Sequence, residues 1–497
     1  MAMLPFGALV FAACGSSRPV SETNPRAAPK ASSWVEPAQP PPVRVSTPAI
    51  PLETPPPPPP PPPPPAPPAI PPPQHIVEVV GWDVRGCAIF DNGMLQCWGG
   101  FNHHGSLGAG HTQRMATPQW VKGIYGVKKV VLANDRTCAI RNNGELYCWG
   151  DNDFLENDPR KDITTPERIP DLTGVVDVTL SNEHGCAVDG GGSVYCWGRN
   201  SNGQMGLGAA ELGKTFKKPT KIPGIDDAIG VVASDTITHV WTKNGELFRF
   251  GQAWDPKREF ADPSPRKIPI VSGVKRVNVD DQQACALLSA GEVRCYNHET
   301  LKDFLAGKEH DFGPDLAALA TALSGRKIPP IPKKFVFPDG RGLSGVIDMA
   351  VFNHDASAVT DKGEVYSWGS GERGTVGRPE DTKGFFPPTR IGGFTNAVRI
   401  VGSFKHRCAL EKNGEVRCFG RRGLLGSDMR TNSTTAVLVQ GIPKIVHLAA
   451  NEYCTFAIGE DHSIWVWGQS WINACGMEDE DMKSSTPRLV PIDKTAP

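Results

Sequence analysis

The feature that most constrains this chain is a phrase that returns. CAIFDNGMLQCWG at 87–99 comes back as CAIRNNGELYCWG at 138–150 and as CAVDGGGSVYCWG at 186–198. With the first cysteine as anchor, equivalent segments begin at Cys87, Cys138, Cys186, His239, Cys285, Ser357, Cys408 and Phe456, spaced 51, 48, 53, 46, 72, 51 and 48 residues apart. Six residues after the anchor stands a glycine in every copy but the last, which has His462, and eleven after it the residue is always Trp, Phe or Tyr. A unit of about 50 residues is too small to bury its own apolar face, so neighbouring copies must complete each other's core.

Each unit reads as short strands. A β-branched segment such as GVKKVVLA or GVIDMAVF precedes a polar turn, and the CAI-like and ELYCWG-like strands follow. After a glycine-rich loop comes a further strand, seen in TPQWV, TPERIP, PTKIP, PRKIPI, PTRIGG and TPRLVPI. Four strands per unit predict an all-β fold, a β-propeller of four-stranded blades. The count is eight, and seven stays open because the fourth and fifth units are irregular. The TPRLVPI strand at the C-terminus has no hairpin after it, and pairing it into the first blade would close the ring and remove two exposed sheet edges.

The hairpins, the terminal WG and loops such as GRNSNGQMGLGA (198–209) and GGFNHHGSLGAG (99–110) resemble regulator of chromosome condensation repeats. The resemblance spans Ile76 to Ile492. It implies a propeller that binds other proteins. A secreted β-lactamase inhibitor has a propeller of this type, which suggests inhibition of a secreted enzyme as an alternative. The founding member's activity, guanine nucleotide exchange on chromatin, fits less well with the features below.

The cysteines carry the compartment. Asp91, Asn92 and Gly93 suit a three-residue hairpin loop, a type I turn closed by a left-handed glycine. In that register Cys87 lies opposite Cys97, and the same geometry pairs Cys138 with Cys148, Cys186 with Cys196, Cys285 with Cys295 and Cys408 with Cys418. Directly opposed Cα atoms are close enough for a disulfide. Zinc would need four converging ligands, and a redox centre one activated pair. Both anchor positions are Ser357 and Ser367 in the sixth unit, Phe456 and Val466 in the eighth and His239 and Arg249 in the fourth, so no copy keeps one cysteine without its partner. Cys454 and Cys475 are left to pair with each other. Twelve of the 13 cysteines are then bridged, which points to an oxidising compartment and leaves Cys14.

Cys14 follows the apolar run LPFGALVFAA and precedes Gly15, Ser16 and Ser17, resembling the end of a bacterial lipoprotein signal in which the cysteine is lipidated. No Lys or Arg precedes the run, and Phe11 stands where an aliphatic residue is commoner. The expected organisation is a signal at 1–14, a disordered Pro-rich stalk at 15–75 and a propeller at 76–497 with an insertion at about 298–342. The stalk contains an unbroken run from Pro55 to Pro65, and polyproline II at about 3.1 Å per residue would carry the propeller on the order of 100 Å from a membrane. The expected place is therefore the bacterial cell envelope, either periplasm or cell surface. No run of about 18 apolar residues marks a transmembrane helix.

The balance of 52 basic against 53 acidic residues argues against nucleic acid as a partner. No phosphate loop, nucleophile elbow, HExxH or calcium loop is present, so no enzyme activity, cofactor or metal is expected. His103 and His104 are adjacent without a third ligand at the right spacing and read as ordinary loop residues. Departures from the repeat are the better guide to function. Trp254 and Trp471 occupy a loop position held by Asn102, Asp153 and Ser201 in the first three units, where a tryptophan can either anchor a partner or pack against a neighbouring blade. The insertion contains DLAALATALSG, a candidate short helix with Leu316, Leu319, Ala320 and Leu323 on one side. The sequence thus predicts a lipid-anchored, monomeric module presenting a stapled propeller to an unknown protein or glycan.

Overall fold

The computed structural model describes residues 73–151, 162–252, 262–268, 271–280, 283–297, 342–352, 354–370, 374–379, 386–403, 405–478 and 485–495. They form eight antiparallel sheets in sequence order, one per repeat: blades 1 to 8 at 76–120, 127–168, 175–221, 228–267, 274–297, 346–390, 397–438 and 445–489. Seven have four strands, and blade 5 has three among the described residues. In blade 1 these are β1 (Ile76–Trp82), β2 (Arg85–Phe90), β3 (Leu95–Gly99) and β4 (Met115–Trp120), laid side by side in that order. The eight-bladed propeller is as expected. The expected signal with Cys14, the expected stalk up to residue 72, Trp254 and the expected insertion from 298 to 341 lie outside the described residues.

Closure differs from the expectation. Arg488–Leu489 pairs with Ile464–Gly468 inside blade 8, and blade 1 has its own outer strand, Met115–Trp120. The repeat starts one strand before the hairpin, so among the described residues each blade is continuous in sequence and no strand is left to exchange. The C-terminal segment still latches the ring by other means. Beyond its strand, Val490 is buried in the core shared by blades 8 and 1, Trp120 Nε1 donates to the Thr495 carbonyl at 2.8 Å, and Gln96 donates to the carbonyl of Asp493.

The core is divided among the seams. Eight apolar clusters each join two neighbouring blades, and each contains the repeat's aromatic residue. Trp98 of blade 1 packs with Phe456 and the Cys454 and Cys475 of blade 8, its ring 5.4 Å from that of Phe456. Trp149 in turn packs on blade 1, and Trp467 on blade 7. One aromatic per unit is therefore a wedge that glues its blade to the preceding one, and removing it would cost about 3–5 kcal/mol. Loop glycines let the chain lie on these rings: a Cβ on Gly108, Gly206 or Gly476 would come within 2.8–3.0 Å of Trp149, Phe250 or Trp98, and all three have positive φ.

Inside each blade the second and third strands are almost wholly buried, because sheets cover both of their faces. Cys87 faces Cys97, and the hairpin closes on Gly93 at φ 73°. The one unit without glycine here uses His462 at φ 61°, whose ring lies 4.1 Å from that of His75. All five opposed cysteine pairs are disulfides, with Cα atoms 4.0–4.1 Å apart, and Cys454 is bridged to Cys475 at 5.6 Å.

Polar side chains lock the blades near the axis. Lys129 pairs with Asp177, whose other oxygen accepts the Val231 N–H of the next blade at 2.9 Å. Arg276 donates to Asp348 at 2.7 Å, and Asp348 accepts the Ile400 N–H at 2.8 Å. His447 accepts from Arg399 through Nδ1 at 3.3 Å and donates from Nε2 to the Val79 carbonyl of blade 1 at 3.1 Å. That geometry requires a neutral imidazole. Burial, reinforced by Arg399, holds its pKa down to about 4.

Candidate functional site: an aromatic strip at the ring junction

The two faces of the ring carry different elements. Hairpin tips and interblade links form one face. The other carries the turns joining first and second strands, near the axis, and the long loops joining third and fourth strands, further out.

On the hairpin face, the first strand of every blade has a register break at its second residue, which is turned out of the ladder. Six of these residues, Val77, Val176, Ile229, Ile347, Val398 and Val446, are aliphatic and 39–59% exposed; Lys128 and Lys275 hold the other two positions. The sequence reading missed this aliphatic circle.

The loop face holds Trp471. It follows the third strand of blade 8, is 50% exposed, and lies between Tyr453 (ring centroids 5.4 Å apart) and Phe101 of blade 1 (6.4 Å). His103 extends the strip, 6.1 Å from Phe101. The strip therefore crosses the junction where the last blade meets the first. His104, beside it, bonds Asp162 through Nδ1 at 2.8 Å, and although burial opposes its charge, that carboxylate raises its pKa. Among the described residues no three His, Cys, Asp or Glu are placed to hold a metal.

The loop that carries Trp471 is held from three sides. Cys475 is bridged to Cys454 on the second strand, both wholly buried, and Asn451 Nδ2 donates to the Ala474 carbonyl at 2.8 Å. Ile472 and Asn473 both have left-handed backbones, φ 52° and 60°. A β-branched residue adopts that conformation only under constraint. Here the constraint is the bridge and the packing of Ile472 against Gly100, where a Cβ would fall 1.9 Å from the isoleucine side chain. The tryptophan is thus presented by a preformed loop.

Beside it runs a cleft of about 320 Å³ between blades 7 and 8, lined by Lys405, Arg421, Leu424, Tyr453, Gln469 and Trp471. Lys405 is nearly buried; its Nζ sits 3.9 Å over the Tyr453 ring and 3.6 Å from Glu452. Burial and the nearby carboxylates Glu452 and Asp83 raise the Tyr453 phenol's pKa. Arg421 is exposed and forms no ion pair among the described residues. Nearer the axis the same face is acidic: Asp83, Asp235, Asp280 and Glu452 line the mouth of the central channel, and burial together with Glu452 pushes the Asp83 pKa up to about 6.

Of the two tryptophans singled out in the sequence, Trp471 stands in this site. Sequence reasoning missed Phe101, Lys405, Arg421 and Tyr453, which only the juxtaposition of three blades brings together. One signal was available: Cys475 falls in a loop where no other unit has a cysteine.

Comparison with known proteins agrees with the repeat. The profile of the Regulator of chromosome condensation (RCC1) repeat matches residues 191–241 and 362–410, and a second profile of the same description matches 127–154 and 175–204. Protein pim1 of Schizosaccharomyces pombe is 23% identical over 306 residues, 55% of this chain and 53% of pim1. The human E3 ubiquitin-protein ligase HERC2 is 30% identical over 149 residues, 28% of this chain but 3% of HERC2. The chain thus spans about half of the one relative and a small part of the other. In the crystal structure of Kap60 bound to yeast RCC1 (Prp20), one chain superposes with a TM-score of 0.53 at 16% identity, covering 85% of this chain and 88% of that one, a likeness of fold alone. The repeats, the eight blades and these matches show that the chain carries regulator of chromosome condensation (RCC1) repeats.

Proposed function

We propose that this protein is an exported, membrane-anchored binding module. Cys14 carries the lipid, residues 15–75 form the stalk, and the propeller offers the Trp471 strip to a partner protein. The observation that supports export is the cysteine account: all twelve cysteines of the propeller are paired in six disulfides, a state that persists outside the reducing cytosol. Binding at the loop face is supported by the preformed Trp471 loop, since an anchor that is already ordered loses little entropy on association. The same rigidity favours a second reading, inhibition of a secreted enzyme by insertion of that loop into the enzyme's cleft.

The test uses the full chain in its own cell. Fatty-acid labelling should mark the wild type and not Cys14→Ser, and only the wild type should need detergent for release. Cross-linking in the envelope should recover a partner that Trp471→Ala loses, and a hydrolase among the partners would favour inhibition. An unlabelled wild type whose twelve thiols alkylate without reductant would end the export reading.

A further inference from the structure

We infer that the cleft beside Trp471 recognises a carboxylate next to an apolar or aromatic side chain, on an acidic segment of the partner protein. The inference rests on the loop face being the binding face, and it adds the chemistry of the ligand.

The cleft is chemically asymmetric. Its wall toward the axis consists of turn residues between first and second strands: Tyr453, and Lys405 already engaged by Glu452 at 3.6 Å. Its outer wall consists of third-to-fourth strand loop residues: Arg421 of blade 7, Gln469 and Trp471 of blade 8. Of the two cations, Arg421 is the one with no ion pair among the described residues, and it is exposed. Its backbone is fixed all the same, its N–H donating to the Lys405 carbonyl at 2.9 Å. A guanidinium offers a planar fork of donors that a carboxylate matches with two parallel hydrogen bonds. Beside it the Trp471 and Tyr453 rings form an apolar surface, and Leu424 closes the floor.

A carboxylate placed at Arg421 lies on the side of the cleft away from the acidic channel mouth formed by Asp83, Asp235, Asp280 and Glu452. The same acidic mouth disfavours a carboxylate further in. The ligand's charge is therefore steered to the rim and its apolar group to the aromatic wall. Gln469, which a Cβ on Gly423 would touch at 2.4 Å, is held close to the blade 7 loop and offers an amide to the ligand backbone.

The test compares two probes of one shape, acetyl-Phe-Glu-amide and acetyl-Phe-Gln-amide, on the full-length detergent-solubilised protein by saturation-transfer NMR and calorimetry. The Glu probe should bind about tenfold more tightly than the Gln probe, a low value for a charge-assisted pair at a half-exposed site. Arg421→Gln should bring the two affinities together while leaving the Gln probe's unchanged, and Trp471→Ala should weaken both. Equal affinity of the probes for the wild type, or a Glu preference that survives Arg421→Gln, overturns the inference. Binding of glucuronic acid in place of both peptides also overturns it, in favour of a glycan. If the Glu preference is absent yet Trp471→Ala still loses the cross-linked partner, the carboxylate inference falls and the binding face stands. If Trp471→Ala loses neither probe nor partner, both fall.

Discussion

Mild acid should destabilise this propeller through three neutral histidines, two of them buried and one half-buried. His184 donates from Nε2 to Thr238 Oγ1 at 2.6 Å, since that hydroxyl's own proton goes to the Gln204 carbonyl, and its Nδ1 meets Ser181 Oγ at 2.9 Å. His406 repeats the arrangement with Thr455 and Ser403, at 2.7 and 3.2 Å. Each joins one blade to the next. Burial drives both down to about 3, with Arg407 and Lys405 adding to the effect at His406, and His447 lies at about 4. All three folded values lie below the unfolded value near 6.5, so the unfolded chain takes up protons first. The stabilisation is complete above pH 6.5 and is lost as pH falls toward 4 and then 3. At pH 5 the unfolded imidazole is almost fully protonated and the folded one hardly at all, which makes the loss insensitive to the folded value. It amounts to about 2 kcal/mol per histidine, roughly 6 kcal/mol for the three. Asp83 works the other way, its raised carboxyl returning up to about 1 kcal/mol once its partial exposure is allowed for. Urea unfolding of the non-reduced protein should therefore show about 5 kcal/mol less stability at pH 5 than at pH 7.5, a large part of the total for most proteins. His447→Gln, whose amide can still donate to Val79 and accept from Arg399, should reduce that loss by about 2 kcal/mol. Equal stability at the two pH values, or a loss that His447→Gln leaves intact, would refute the reasoning.

Three further outcomes follow from particular contacts. Arg407 and Asp355 are both buried, 3.7 Å apart, and Asp355→Ala should cost about 3–5 kcal/mol in urea because it strands a guanidinium. Cys454→Ser with Cys475→Ser should cost about 3 kcal/mol and also weaken partner capture through Trp471, whereas Cys87→Ser with Cys97→Ser should lower the melting temperature and spare capture. Ser357→Cys with Ser367→Cys should form a sixth hairpin disulfide by mass measurement yet gain under about 1 kcal/mol. The serine hydroxyls now bond each other at 2.7 Å, Thr375 at 2.7 Å and Arg407 Nε at 3.1 Å, and those bonds would be lost.

The repeat period, the hairpin register and every disulfide were legible in the sequence, because each follows from local spacing that eight copies repeat. What the spacing hid is as physical. The Val-rich first strands carry no local mark of an outward position, yet the break in register after Ile76, Val175 or Ala228 turns Val77, Val176 and Ile229 outward. The closing strand was assigned to the wrong blade because the phase of a repeat cannot be read from its period alone. Trp471 could be singled out as a departure from the pattern. Its neighbours Lys405 and Phe101 come from adjacent blades, 66 and 370 residues away in sequence, and no local rule connects them.

The anchor pair shows how one backbone position serves different ends. It is buried and directly opposed in every blade, so its two residues meet across the hairpin away from solvent. Five blades use a disulfide, blade 6 a hydroxyl pair, blade 4 His239 opposite Arg249, and blade 8 the apolar Phe456 opposite Val466. Blade 8 has not given up its bridge. Its cysteine stands two positions earlier on the same strand, at Cys454, and so on the same face of the sheet. From there it cannot staple the hairpin, and it reaches Cys475 in the loop beyond Trp471. The vacated site lets Phe456 meet Trp98 and seal the ring. A bridge that elsewhere stiffens one blade here fixes a strained loop on the loop face, at the junction where first and last blades meet. Among the described residues, blade 8 is thus the unit whose bridge reaches a loop instead of closing its hairpin.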